Sequence, residues 1–101
     1  MKQTCEIETD KAYFLHFFLK GKINVSIVSG DGRYWNKDSG EFGEWLNEKT
    51  TVTFDCDDWD NCSLCFWADD NSTVTICFEY AGDEACIDYV RMFKKLPYPT
   101  F

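Results

Sequence analysis

From Ala12 to Ile27 the chain alternates with a period of two, and this constrains its fold more than any other feature. Tyr13, Leu15, Phe17 and Leu19 fall on one side of an extended strand. Phe14, His16, Phe18 and Lys20 fall on the other. β-Branched and aromatic residues dominate, and no helical period runs through them. Lys20-Gly21-Lys22 has the composition of a turn, after which Ile23, Val25 and Ile27 alternate with Asn24 and Ser26. The expectation is two strands joined at Gly21, the second closed by Gly30-Asp31-Gly32.

The remaining elements are read the same way. Thr4–Glu8 and Arg33–Trp35 are predicted as short strands, and Glu44–Asn47 as a single helical turn. Thr50–Tyr80 reads as a three-stranded meander. Val52, Phe54 and Cys56 share a face, then come a loop at "DDWDN", a strand Ser63–Trp67, a turn at "ADDNS", and Val74, Ile76, Phe78 and Tyr80. A suitable register of the second hairpin would set Cys65 opposite Cys77, within reach of a disulfide. From Asp83, a helix N-cap by residue type, Cys86, Ile87, Val90, Phe93 and Leu96 recur at helical spacing. Arg91, Lys94 and Lys95 suit the negative end of such a helix, and Pro97 and Pro99 end it. The predicted architecture is a single α+β domain over residues 1–101. It has a mostly antiparallel sheet of about five to six short strands and one C-terminal helix.

Charge is distributed in blocks. The whole chain carries a net charge of −8. Residues 1–50 carry a net −1, residues 51–90 a net −10 with no base at all, and residues 91–101 a net +3. A duplex would be repelled by the longest block, so direct binding of nucleic acid is disfavoured. The N-terminal residues lack an apolar signal region and no long apolar run follows, which predicts a cytoplasmic protein with no membrane segment.

Six cysteines raise the question of metal. Cys56, Cys62, Cys65 and Cys77 are the set a zinc site would use, but only Cys62 and Cys65 have ligand-pair spacing, and they sit in a predicted strand. In a cytosolic chain the preferred reading is reduced thiols packed as small hydrophobes, with no cofactor. A calcium loop starting at Asp58 lacks its glycine and its closing glutamate. Catalysis is not expected either. His16, the one histidine, lies within a strand pattern, and no phosphate loop or nucleophile–base constellation is signalled.

The acidic block is therefore the candidate site. Asp58-Trp59-Asp60 and Trp67-Ala68-Asp69-Asp70 place aromatic anchors beside carboxylates, as a hot spot with an acidic rim would. With Asp55 and Asp57 these residues form the expected contact set: Asp55, Asp57, Asp58, Trp59, Asp60, Trp67, Asp69 and Asp70. The partner this predicts is a protein with a basic, nucleic-acid-handling surface, approached by electrostatic steering. In size, charge and lack of catalytic signals the chain resembles the small acidic inhibitors that bacteriophages and mobile elements direct against nucleic-acid-cleaving defence enzymes. An immunity protein against a basic nuclease toxin has the same composition and is the competing reading. A small zinc-stabilised structural or regulatory module comes third.

Overall fold

In the computed structural model, which describes residues 2–46 and 49–95, the protein is built from strands alone. They are β1 (Lys2–Glu6), β2 (Ala12–Ser29), β3 (Arg33–Asn36), β4 (Glu41–Leu46), β5 (Val52–Trp67) and β6 (Thr73–Lys95). Every pairing is antiparallel. The α+β expectation is corrected here: no helix occurs among the described residues, and the fold is β-sandwich-like.

Four corrections share one cause, the length of β2. Gly21 does not reverse the chain; β2 runs through it as one strand of 18 residues. β5 follows one edge of β2, from Ala12↔Trp67 to Val25↔Val52, so the "DDWDN" segment lies inside a strand. β6 follows the other edge, from Ala12↔Lys95 to Ser29↔Val74. The segment expected as a C-terminal helix is thus the second half of β6. The segment expected as a meander is split, because β5 and β6 are separated by β2. The turn expected at Glu44–Asn47 falls partly in β4, and Asn47, Leu96, Pro97 and Pro99 lie outside the described residues. β1 pairs with β6 over Thr73–Cys77, and β3 joins β2 at Val28↔Tyr34 and carries β4.

The sheet is folded over on itself at Gly21. The ring of Phe17 lies 5.3 Å from that of Phe54 and 5.4 Å from that of Phe78, both edge-on. Phe54 and Phe78 pair with Ile23 and Val25. In a flat strand at about 3.3 Å per residue, Phe17 and Ile23 would stand roughly 20 Å apart. The bend instead brings the first leaf (Ala12–Leu19 and its partners) over the second (Gly21–Ser29 and its partners). Because both leaves keep odd-numbered β2 residues inside, Leu15, Phe17, Leu19, Ile23, Val25 and Ile27 are all buried in one core with Phe66, Val74 and Ile76.

Flanking strands must take the longer path around a corner, and they do so by inserting residues. Between Leu19↔Asp60 and Gly21↔Cys56, β5 sets Asp57, Asp58 and Trp59 opposite the lone Lys20. Between Gly21↔Ala85 and Ile23↔Tyr80, β6 sets four residues, 81–84, opposite Lys22. Such bulges bend a strand and increase its twist. Gly21 itself has φ 106°, and a Cβ there would run into the Glu84 carbonyl oxygen and the Ala85 backbone. Gly40 also has positive φ, at 73°, but a Cβ there meets nothing.

Gly21→Ala therefore combines backbone strain with a clash, and Gly40→Ala brings strain alone. We expect Gly21→Ala to lower unfolding free energy by about 2–4 kcal/mol and Gly40→Ala by about 1 kcal/mol, read from urea denaturation midpoints.

Candidate ligand-binding face

The acidic residues do not gather on one side. Asp55 faces outward on the second leaf beside Lys22. Asp57, Asp58, Trp59 and Asp60 crowd the corner, with Trp59 49% exposed. Asp58 and Asp60 each accept a hydrogen bond from the next residue's backbone N–H, both at 2.8 Å. Asp69 and Asp70 sit beyond the far end of β5, about 20 Å of strand from Asp60. There Asp69 adopts φ 55°, its carbonyl accepts from the Asp10 N–H at 2.7 Å, and Asp70 pairs with Arg33 at 3.4 Å. Trp67 belongs to a different surface, the outer face of the first leaf.

The cysteines divide as well. Cys56 and Cys62 are brought together from either side of the corner bulge, Sγ to Sγ 3.6 Å. Cys65 is exposed on the outer face of β5, and Cys77 is buried on β6, so the pairing of Cys65 with Cys77 and the four-cysteine set are not formed. Among the described residues no three metal-ligating side chains cluster. Burial, and then the neighbouring Cys56 thiol, push the Cys62 thiol up to about 12. Cys65 and Cys86 are exposed. Since the thiolate is the nucleophile, iodoacetamide at pH 8 should label Cys65 and Cys86 first and Cys62 last, by peptide mass mapping over time. Early labelling of Cys62 would contradict this placement.

The most distinctive surface is one the charge map did not indicate. Even-numbered residues of β2 point outward from the first leaf, and their neighbours across the strands form rows. Ala12 lies beside Trp67, and Phe14 lies between Cys65 and Phe93. His16 lies between Ser63 and Arg91, and Phe18 between Asn61 and Asp88. With Tyr89, whose ring lies 6.1 Å from that of Phe18, this makes a three-stranded face of five aromatic side chains. Trp67 and Phe93 are each 46% exposed and Tyr89 59%, so the face is open to solvent. Rows lie about 7 Å apart along the strands and strands about 4.8 Å apart, giving a platform roughly 10 Å wide and 20 Å long.

A single polar pair sits in the middle of it. Arg91 Nη2 donates to His16 Nδ1 at 3.0 Å, and the guanidinium lies 4.4 Å from the Tyr89 ring centre and 5.5 Å from that of Phe93. Donation by Arg91 requires His16 to be neutral with its proton on Nε2. The His16 ring in turn packs edge-on against Phe18 at 5.5 Å. The pair thus fixes two side chains among the aromatics, with the guanidinium lying over the Tyr89 ring. Sequence reasoning missed Phe14, His16, Phe18, Tyr89, Arg91 and Phe93 as a site. The available signal was that the even-numbered half of the Ala12–Leu19 alternation carries Phe14 and Phe18 where an outward face would ordinarily be polar.

The fold is similar to that of a solved carbohydrate-binding module. That protein, a CBM4 structure, superposes with a TM-score of 0.62 over 93% of this chain, at 19% sequence identity. The chain spans 59% of that protein's length. At this identity the likeness concerns the fold alone. No protein-family model and no curated protein sequence matches the chain.

Proposed function

We propose that the chain is a non-catalytic binding domain that takes a carbohydrate chain on the outer aromatic face of its first leaf. The observation that carries this reading is the cluster of Trp67, Phe93 and Tyr89, all exposed, with the half-buried Phe14 and Phe18 between them on one three-stranded surface. A pyranose ring has C–H-rich faces and a hydroxyl-bearing rim. Laid on an aromatic plane it removes apolar area from water on both sides, worth about 1–2 kcal/mol per stacked ring. The rim then meets the polar groups of the platform, Arg91, His16, Ser63 and Asn61. The likeness of the fold to a carbohydrate-binding module adds support. Glycoside hydrolysis needs two carboxylates flanking one bond, and the three strands present one on this face, Asp88.

Native affinity electrophoresis through gels containing neutral polysaccharides (β-glucan, xylan, mannan) tests this reading. Retardation by at least one of them is expected, with Trp67→Ala and Phe93→Ala each weakening binding about 5- to 20-fold. Trp59→Ala, on the corner, should change nothing. Unretarded migration in every gel, or full binding by the Trp67→Ala and Phe93→Ala variants, would refute it.

A second reading keeps the acidic corner, because the bulge thrusts Trp59 out between Asp57, Asp58 and Asp60. It is the docking of a basic protein surface, as a phage-borne inhibitor or an immunity protein would provide. Asp69 and Asp70 fall outside that contact set, being a leaf away. Asp58→Lys with Asp60→Lys should then slow association with a partner captured at low salt by about 10-fold and leave carbohydrate binding intact.

A further inference from the structure

The core is open along one edge. Over its second half, from Glu84 on, the edge of β6 that faces away from β2 has no strand partner among the described residues. Interior side chains show the effect. Leu15 and Leu19 on β2 are fully buried, whereas their β6 neighbours Met92 and Ile87 are only half-buried, and Val90 is 41% exposed. Two cavities, of 440 and 290 Å³, open along this edge between the leaves. Ile23, Phe78, Ala85 and Ile87 line the first, and Leu15, Ile76, Val90 and Met92 the second. An extended, apolar, unpaired edge is a template for another strand.

We propose that a second copy of this chain fills it, by antiparallel pairing of the two β6 edges about a two-fold axis. The argument is charge complementarity within β6. Its stretch 83–88 holds Asp83, Glu84 and Asp88, and its stretch 91–95 holds Arg91, Lys94 and Lys95. Antiparallel self-pairing lays the acidic half of one copy along the basic half of the other, twice. The register that sets Asp88 opposite the second copy's Arg91 also sets Glu84 opposite its Lys95 and Ile87 opposite its Met92.

Such a pairing requires opposed residues to share a face, and the β6 bulge supplies this. Between His16↔Arg91 and Phe18↔Asp88, β6 inserts one extra residue, with Tyr89 at φ 56°. Asp88 and Arg91 therefore both flank even-numbered β2 residues and point outward. Ile87 and Met92 flank Leu19 and Leu15 and point inward. Without the bulge the charged pair would face opposite sides. The two open cores meet as one, and the two aromatic platforms become one continuous outer surface. A two-fold interface of this kind is isologous and closes on itself, which prevents growth into fibres.

Sedimentation velocity of the full chain from about 1 to 100 µM should show a dimer that weakens with salt. Asp88→Arg and Arg91→Asp, each alone, should raise the dissociation constant about 10-fold or more, by setting like charges opposite one another. The double swap should restore the dimer. Hydrogen exchange of the unaltered protein adds a readout free of any folding defect in the variants, with residues 84–95 gaining protection on dimerisation. A monomer throughout this range overturns the proposal. So does a dimer indifferent to both single changes, or one that leaves the 84–95 amides unprotected. Carbohydrate retention is a separate measurement, so loss of one conclusion leaves the other standing.

Discussion

The fold depends on the bend at Gly21. β2 is the strand between β5 and β6 in both leaves, so its path sets the relation of each leaf to the other. At the inside of the corner, a side chain on residue 21 would occupy the space where the β6 backbone crosses at Glu84 and Ala85. Glycine fills that position because it allows close approach and a positive φ together. The bulges in β5 and β6 follow from the same geometry. Trp59 apart, the described residues set out at the corner (Asp57, Asp58, Ala81, Gly82 and Glu84) are charged or small.

How much of this was legible in the sequence depends on phase. Odd-numbered residues are apolar on both sides of Gly21, a phase that one strand passing through the glycine preserves. Reading the glycine as a reversal ignored that continuity. In β6 the failure has the opposite origin. The bulge at Tyr89–Val90 shifts the inward set from Ile87 to Met92 and the outward set from Asp88 to Arg91, so the spacing drifts to three and five residues. An alternation interrupted in this way mimics a helical period over about ten residues. The residue types (Cys, Ile, Tyr, Val, Phe) favoured a strand, and the dipole-compatible charges argued misleadingly for a helix. Strand partners were not legible at all, since nothing local distinguishes a meander from two strands flanking a third.

The same non-local arrangement explains the forty residues without a base. Along the chain the block 51–90 looks like unrelieved repulsion, but β5 and β6 are the flanking strands, and the bases that answer them lie on other elements. Lys22 stands beside Asp55, and Arg33 reaches Asp70. Lys49 pairs with Glu79 at 2.6 Å, holding its carboxyl below the usual range. Acids are segregated in sequence and interleaved in space. At the corner, around Trp59, the acidic excess persists in Asp57, Asp58 and Asp60.

The outer faces of the two leaves are treated in opposite ways. On the second leaf the outward residues are polar, yet Ser26 and Cys77 are buried there and Lys49 bridges across to Glu79 on the same face. On the first leaf five outward residues are aromatic, and three of them, Trp67, Phe93 and Tyr89, are exposed. Burial of apolar surface would favour the reverse, covering the aromatic face and leaving the polar one to water. Trp67, Phe93 and Tyr89 are about half exposed, which forgoes about 1–1.5 kcal/mol of burial each in a domain of ordinary marginal stability. A net charge of −8 keeps such a surface dispersed without covering it. An apolar face that is costly to expose and is braced by the Arg91–His16 pair is the physical ground on which the proposed binding role rests.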